Sequence, residues 1–237
     1  MRFQSASRTD IGLKRKVNED SLIDRADRSF WVVADGMGGH EAGEVASAMV
    51  VESVDEAVTA SDLEAALEQV DRALDTANAA MIEHMHGDKR RKMGSTAVGL
   101  IIAEDGRYGC FWVGDSRAYR VRDGQIAQIT RDHSLVQQLV DAGLISEEDA
   151  ATHPDASVIT RAVGGSDRLE VDHVKGAAQT NDIFILASDG LTRCVEAEEI
   201  RHVVMMGNPH QACEDMVEMV LARGAPDNVS VIVVRVA

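Results

Sequence analysis

The feature that most constrains the fold is the order of its apolar runs. Short β-branched stretches occur at Phe30-Trp31-Val32-Val33, 97–103, 108–113, 118–121, 183–187 and 229–236. Several follow one another directly, and the helical patterns come in adjacent pairs, at 41–58 with 62–85 and at 196–206 with 210–223. A doubly wound fold would need strict strand–helix alternation, which is absent. Consecutive strands with paired helices predict an α+β chain with an antiparallel sheet core and helices outside. Ser61, three residues before Glu64, is the expected N-cap of the second helix in a capping box. The stretch 134–165 holds a brief amphipathic segment and then polar residues, so it reads as an excursion from the sheet, a flap. No repeat, low-complexity stretch or linker divides the 237 residues, which predicts one domain over 1–237.

Composition narrows the function. Aromatic residues are 3% of the chain, so Val, Ile, Leu, Ala and Met must fill the core. With 24 Lys+Arg against 40 Asp+Glu the formal charge is −16. Such a field repels phosphate backbones and anionic head groups, which excludes a general nucleic-acid or membrane binder. Cys110, Cys194 and Cys213 are odd in number and lack CxxC spacing, which points to a reducing compartment. The first twenty residues lack an apolar signal-peptide core, and no apolar run approaches a bilayer span. A cytoplasmic location is expected.

Four Asp-Gly pairs fall into two kinds. Asp105-Gly106 and Asp123-Gly124 lie between strand-like runs, where Asp-Gly makes a hairpin turn. Asp35-Gly36 and Asp189-Gly190 follow apolar strands and are expected to lead into loops before helices. A rigid strand would aim each carboxylate at a crevice, and the glycine would let a backbone carbonyl approach a ligand. Asp115 and Asp227 have similar placement. None of these acids has an obvious Lys or Arg partner in sequence, so together they call for cations. Oxygen ligands alone select hard ions, Mg²⁺ or Mn²⁺. Turn and capping aspartates are the bland alternative. Near the N-terminus, Arg15 precedes Asn18-Glu19-Asp20, and its planar fork matches a phosphate dianion.

Arg15…Asn18-Glu19-Asp20, Asp35-Gly36-Met37-Gly38-Gly39, Gly94-Ser95-Thr96-Ala97, Gly114-Asp115-Ser116-Arg117, Ser188-Asp189-Gly190 and Asp227-Asn228-Val229-Ser230-Val231 occur in that order. The series resembles the metal-dependent serine/threonine protein phosphatases of the protein phosphatase 2C family, in compact bacterial form. The resemblance implies two packed antiparallel sheets flanked by helix pairs, a four-layer αββα sandwich, with 134–165 as the variable flap. It implies that Asp35 bridges two metal ions, that the Gly36 carbonyl binds one, and that Asp189 and Asp227 bind the other. Glu19 and Asp20 would act through metal-bound waters in the outer shell, and Arg15 would bind the phosphoryl group. Asp115 resembles the acid that holds a third, weaker ion with Asp189.

The implied activity is hydrolysis of phosphoserine and phosphothreonine in proteins, counteracting a bacterial Ser/Thr kinase. Two ions about 3.5–4 Å apart activate a bridging hydroxide for in-line attack. The cofactors would be two Mn²⁺ or Mg²⁺ ions with room for a third; the partners would be phosphorylated proteins and a cognate kinase, with the chain monomeric. Met37 stands where animal members carry a histidine proposed as general acid, and His40 nearby is more simply a capping or solvent-facing residue. The run Leu191-Thr192-Arg193-Cys194 is less typical of the family and is expected to leave the metals alone. The alternatives are a catalytically weak binding module on the same fold and a phosphoesterase for small esters.

Other signals carry less. His40-Glu41-Ala42-Gly43-Glu44 lacks the second histidine of a zincin motif. A cysteine-dependent phosphatase needs Arg six residues after its Cys, and those positions hold Ser116, Ile200 and Met219. Lys89-Arg90-Arg91-Lys92 reads as a solvated loop, and His84 and His86 do not share a helix face.

Overall fold

The computed structural model describes residues 2–38, 42–85 and 93–237. One sheet contains, in spatial order, β2 (Asp20–Arg25), β3 (Phe30–Gly38), β5 (Ala97–Ile102), β6 (Arg107–Val113) and β9 (Asp172–Ala177), with the short β4 (Met93–Ser95) paired to the far end of β3. The other runs β1 (Phe3–Asp10), β11 (Val229–Val236), β10 (Ile183–Ala187), β7 (Arg117–Arg122) and β8 (Gln125–Gln128). Every pairing within them is antiparallel.

The continuous apolar runs have a physical reason: the central strands are covered on both faces, so both side-chain sets must be apolar. Trp31 and Val33 point into the layer between the sheets, where they meet Leu100, Trp112, Phe184, Leu186 and Ile232. Their neighbours Phe30 and Val32 face the opposite way, into a core with Val50, Val54, Leu67, Leu74 and Phe111 beneath α1 (Ala42–Ala57) and α2 (Leu63–Met85). On the other sheet Ile183, Ile185, Val231 and Val233 pack under α6 (Ala197–Met206) and α7 (Pro209–Ala222) with Ile200, Val204, Met216 and Val220. Each such side chain contributes about 1.5–3 kcal/mol on burial. The result is the four-layer αββα sandwich. Among the described residues no helix is long and apolar enough to cross a membrane.

Several local expectations hold and some shift. Gly106 takes φ +85° in the β5–β6 turn, and Asp123 and Gly124 both take positive φ in the β7–β8 hairpin. α2 is capped by Asp62 rather than Ser61: the Asp62 carboxylate accepts from the Ala65 N–H at 3.1 Å. The helix starts one residue later than the capping-box spacing suggested, and the side chain of an aspartate there does the same work. Between β8 and β9 the 134–165 stretch forms α3 (Leu135–Asp141) and α4 (Glu147–Ala151), capped by Ser134 and Ser146. The bridge Ser134↔Ile159 closes the stretch on itself, and Ser95↔Val163 ties it to β4. All three cysteines are free thiols.

Candidate metal centre

Asp35 does not lead into a loop. It lies inside β3, which runs on to Gly38 because Gly36, Met37 and Gly38 pair with β4. Asp20 at the start of β2 stands directly opposite it in register. The backbone at Asp35 is clamped from the side: its N–H donates to the Thr96 hydroxyl at 2.9 Å, and its carbonyl accepts from the Thr96 N–H at 2.8 Å and the Ser95 hydroxyl at 3.1 Å. Thr96 Oγ1 in turn shares a 2.8 Å hydrogen bond with Ser116 Oγ. Ser95, Thr96 and Ser116, which sequence gave no task, therefore hold Asp35. Gly36 donates its N–H to the Glu19 carbonyl at 3.0 Å, and a Cβ there would collide with the carbonyl of Gly43 at the start of α1. Only glycine allows that approach.

The other sheet supplies the facing acids. Asp189 follows β10 and opens a single helical turn, α5 (Asp189–Thr192), in place of the expected loop. Ser188 links the two sheets: its hydroxyl donates to Asp20 Oδ2 at 2.8 Å and accepts from the Ser230 N–H at 2.9 Å. Asp227 sits just before β11, as expected. Beside it, buried Asn228 accepts from the Glu19 N–H at 2.9 Å and donates to the carbonyls of Ile11 at 2.9 Å and Val17 at 3.0 Å. One amide thus fixes the loop that carries Arg15. That loop delivers Arg15 Nη2 to Asp227 Oδ2 at 2.6 Å.

The acids raise one another's affinity for protons. Burial pushes Asp20 up to about 7, against hydrogen bonds from Ser230 and Ser188 and with the help of Asp189 and Asp227. Burial lifts Asp115, after β6, to about 7 as well, with Asp189 and Asp132 adding to it. Asp35 is held well above the usual carboxylate range by burial and by the charges of Asp20, Asp189, Asp115 and Asp227. Asp189 is raised by burial, against the pull of Arg193. Burial also raises Glu19. The structure therefore brings Asp20, Asp35, Asp115, Asp189 and Asp227 within each other's fields, with Glu19 and Arg15 beside them.

The residues fit a hard divalent cation. Asp20 Oδ1 and Asp189 Oδ1 are buried with no hydrogen-bond partner, an arrangement that costs free energy unless a cation or ordered water answers it. The donors are oxygen throughout. Among the described residues no three acidic, histidine or cysteine side chains form a closed cage for one ion. Mg²⁺-type sites keep several waters, so acids placed to serve two ions need not close round either one beforehand.

Two expectations need correction. The acids do have cationic partners: Arg15 on Asp227, and Arg193, whose Nη2 lies 2.7 Å from Asp189 and 3.6 Å from Asp115. The α5 turn brings Arg193 back over Asp189 at i,i+4 spacing, which sequence did not reveal because a loop was expected there. Arg193, set aside on sequence grounds, stands at the acids. Gly39, His40, His86 and the 89–92 basic run lie outside the described residues.

The family described as Protein phosphatase 2C matches residues 14–226. The serine/threonine protein phosphatase PstP of Mycobacterium tuberculosis is 40% identical over 234 residues, covering 98% of this chain but 44% of PstP, so the chain spans less than half that relative's length. The protein phosphatase PhpP of Streptococcus pneumoniae is 33% identical, with 95% of this chain and 94% of PhpP covered. Among solved structures, M. tuberculosis PstP/Ppp superposes with a TM-score of 0.92 at 36% identity, covering 100% of this chain and 99% of that one. The PstP catalytic domain in complex with two manganese ions gives 0.88 at 35% identity and 99% coverage of both. The fold, the ordered acids and these likenesses agree, and the chain belongs to the protein phosphatase 2C family.

Proposed function

We propose that this chain is a divalent-metal-dependent phosphatase for phosphoserine and phosphothreonine in proteins, working on two Mn²⁺ or Mg²⁺ ions. Asp35 would hold both ions, the Gly36 carbonyl one of them, and Asp189 and Asp227 the other. Bound, the ions supply Lewis acidity and an activated water for attack on phosphorus. The observation that carries the reading is the pair of unpartnered buried oxygens, Asp20 Oδ1 and Asp189 Oδ1, among acids contributed by both sheets. The two-manganese PstP structure supports the metal count.

The chain's own groups have distinct tasks. Asp20 and Glu19 orient waters around the ions. Arg15 leaves Asp227 to take the phosphoryl oxygens, since a dianion matches its fork better than one carboxylate oxygen. Asp115 with Asp189 is the pair that would hold a third cation if one were bound. Met37 brings no proton donor, so the proton for the leaving alkoxide comes from water or another group of the site. Cations at the site reverse a local field that would otherwise repel phosphate from a chain of charge −16.

The domain reading stays as the sequence suggested: one phosphatase domain over 1–237 with 134–165 as a flap. The substrates are phosphorylated proteins opposite a Ser/Thr kinase, met by a cytoplasmic monomer that binds neither nucleic acid nor membrane. The test is phosphate release from a phosphothreonine peptide in Mn²⁺, repeated with excess chelator. Release abolished by chelation is expected. Turnover indifferent to chelator overturns the reading, and a small ester far ahead of the peptide in kcat/KM replaces the protein substrate with a small one.

A further inference from the structure

Arg193 stands at the mouth of the site with no role in the function just proposed. It caps α5, where its N–H donates to the Asp189 carbonyl at 2.9 Å, and its side chain folds back over that turn. One nitrogen, Nη2, serves two carboxylates: Asp189 Oδ2 at 2.7 Å and Asp115 Oδ2 at 3.6 Å. Asp115, in the loop from β6 to β7, is buried and Asp189 nearly so, while the Arg193 side chain is 38% exposed. Arginine keeps its charge at every physiological pH, and its short tether holds it at high local concentration.

We propose that Arg193 is a built-in counter-cation for the Asp115–Asp189 pair, taking the place a third divalent ion would otherwise occupy. The inference rests on the two-metal reading above and restricts it. A divalent ion between Asp115 and Asp189 must first displace a guanidinium that cannot deprotonate, and must then sit beside its positive charge. Asp35 and Asp227 are not touched by Arg193 among the described contacts, so the other ions are spared this competition. Asp189 retains its second oxygen, Oδ1, which is buried with no hydrogen-bond partner and remains free for an ion. Nη2 approaches Asp189 at Oδ2, which leaves Oδ1 for a different cation.

The test counts ions directly. Mn²⁺ is titrated into the wild-type chain, Arg193→Ala and Arg193→Ala/Asp115→Asn at pH 7.5, with free Mn²⁺ followed by electron paramagnetic resonance and heats by calorimetry. Two ions are expected in the wild type. Arg193→Ala should gain a third class at least ten times tighter than any further binding in the wild type, and the added Asp115→Asn should remove it. Equal stoichiometry and affinities in wild type and Arg193→Ala, or three ions already in the wild type, overturn the proposal while leaving the metal-dependent reading in place. No Mn²⁺ on any variant overturns both. Arg193→Gln, which keeps length without charge, carries the same comparison if the alanine variant folds poorly by circular dichroism.

Discussion

Asp20 and Asp35 face each other across the β2–β3 pair, Asp20 buried and Asp35 half-buried, with the Ser188 hydroxyl donating to Asp20. Two carboxylates so placed hold protons that the unfolded chain has released. Burial puts Asp20 at about 7 and Asp35 well above its usual range. A raised carboxyl pKa contributes stability that is complete below the unfolded value near 4 and is lost as pH rises through the folded value. In chelator, Tm should therefore fall by several degrees between pH 5 and pH 7.5. Thermal melts across that window check the sign, and a Tm that rises with pH contradicts it.

Divalent ions should reverse that loss. An ion that binds only the folded chain at one hundred times its Kd stabilises by about 2.7 kcal/mol, which at this size is about 5–10 °C in Tm. The gain from Mn²⁺ should be larger at pH 7.5 than at pH 5.5, because binding must first release the protons held by Asp20, Asp35 and Asp115. Melts with matched free Mn²⁺ at the two pH values test this.

Asp35→Asn removes a charge repelled by Asp20, Asp189, Asp115 and Asp227 and keeps the side chain's shape. In chelator at pH 7.5 the variant should melt higher than the wild type, while in Mn²⁺ kcat falls about 10²-fold or more because the side chain that would hold both ions has lost its charge. Stability gained together with activity lost separates a functional acid from a structural one. A variant that is both less stable and fully active contradicts the assignment.

Arg15→Ala should mainly raise KM for a phosphopeptide. Asn228→Ala should act on the same step without touching substrate, because its amide ties the Ile11 and Val17 carbonyls and the Glu19 N–H. Three lost hydrogen bonds in a buried position cost about 1–3 kcal/mol of stability as well. The pairing of higher KM with lower Tm marks Asn228 as a positioning residue; Arg15→Ala should change KM with little change in Tm.

Much of this was legible in the sequence, for identifiable reasons. Strands covered on both faces announce themselves as unbroken apolar runs, as at Phe30-Trp31-Val32-Val33 and Ile183–Ala187. Edge strands do not. β1 reads Phe-Gln-Ser-Ala-Ser-Arg-Thr-Asp and β8 Gln-Ile-Ala-Gln, polar because one flank or face meets water. The acids were visible through their ordered motifs, but what surrounds them was not. Arg193 matters only because α5 is a helical turn, and Asn228 matters only because Ile11, Val17 and Glu19 converge on it from more than two hundred residues away in the chain. Such relationships belong to tertiary structure, where local pattern is silent.

The acids divide between the sheets: Asp20 and Asp35 ride on one, while Asp189 and Asp227 are attached to strands of the other. The candidate cation site is therefore a vernier between two slabs whose relative slide is set by Trp31, Leu100, Phe184 and Ile232, packed between them. Trimming one of those greasy side chains would detune ion affinity from a distance, making the interior of the sandwich a dial for the chemistry at its rim.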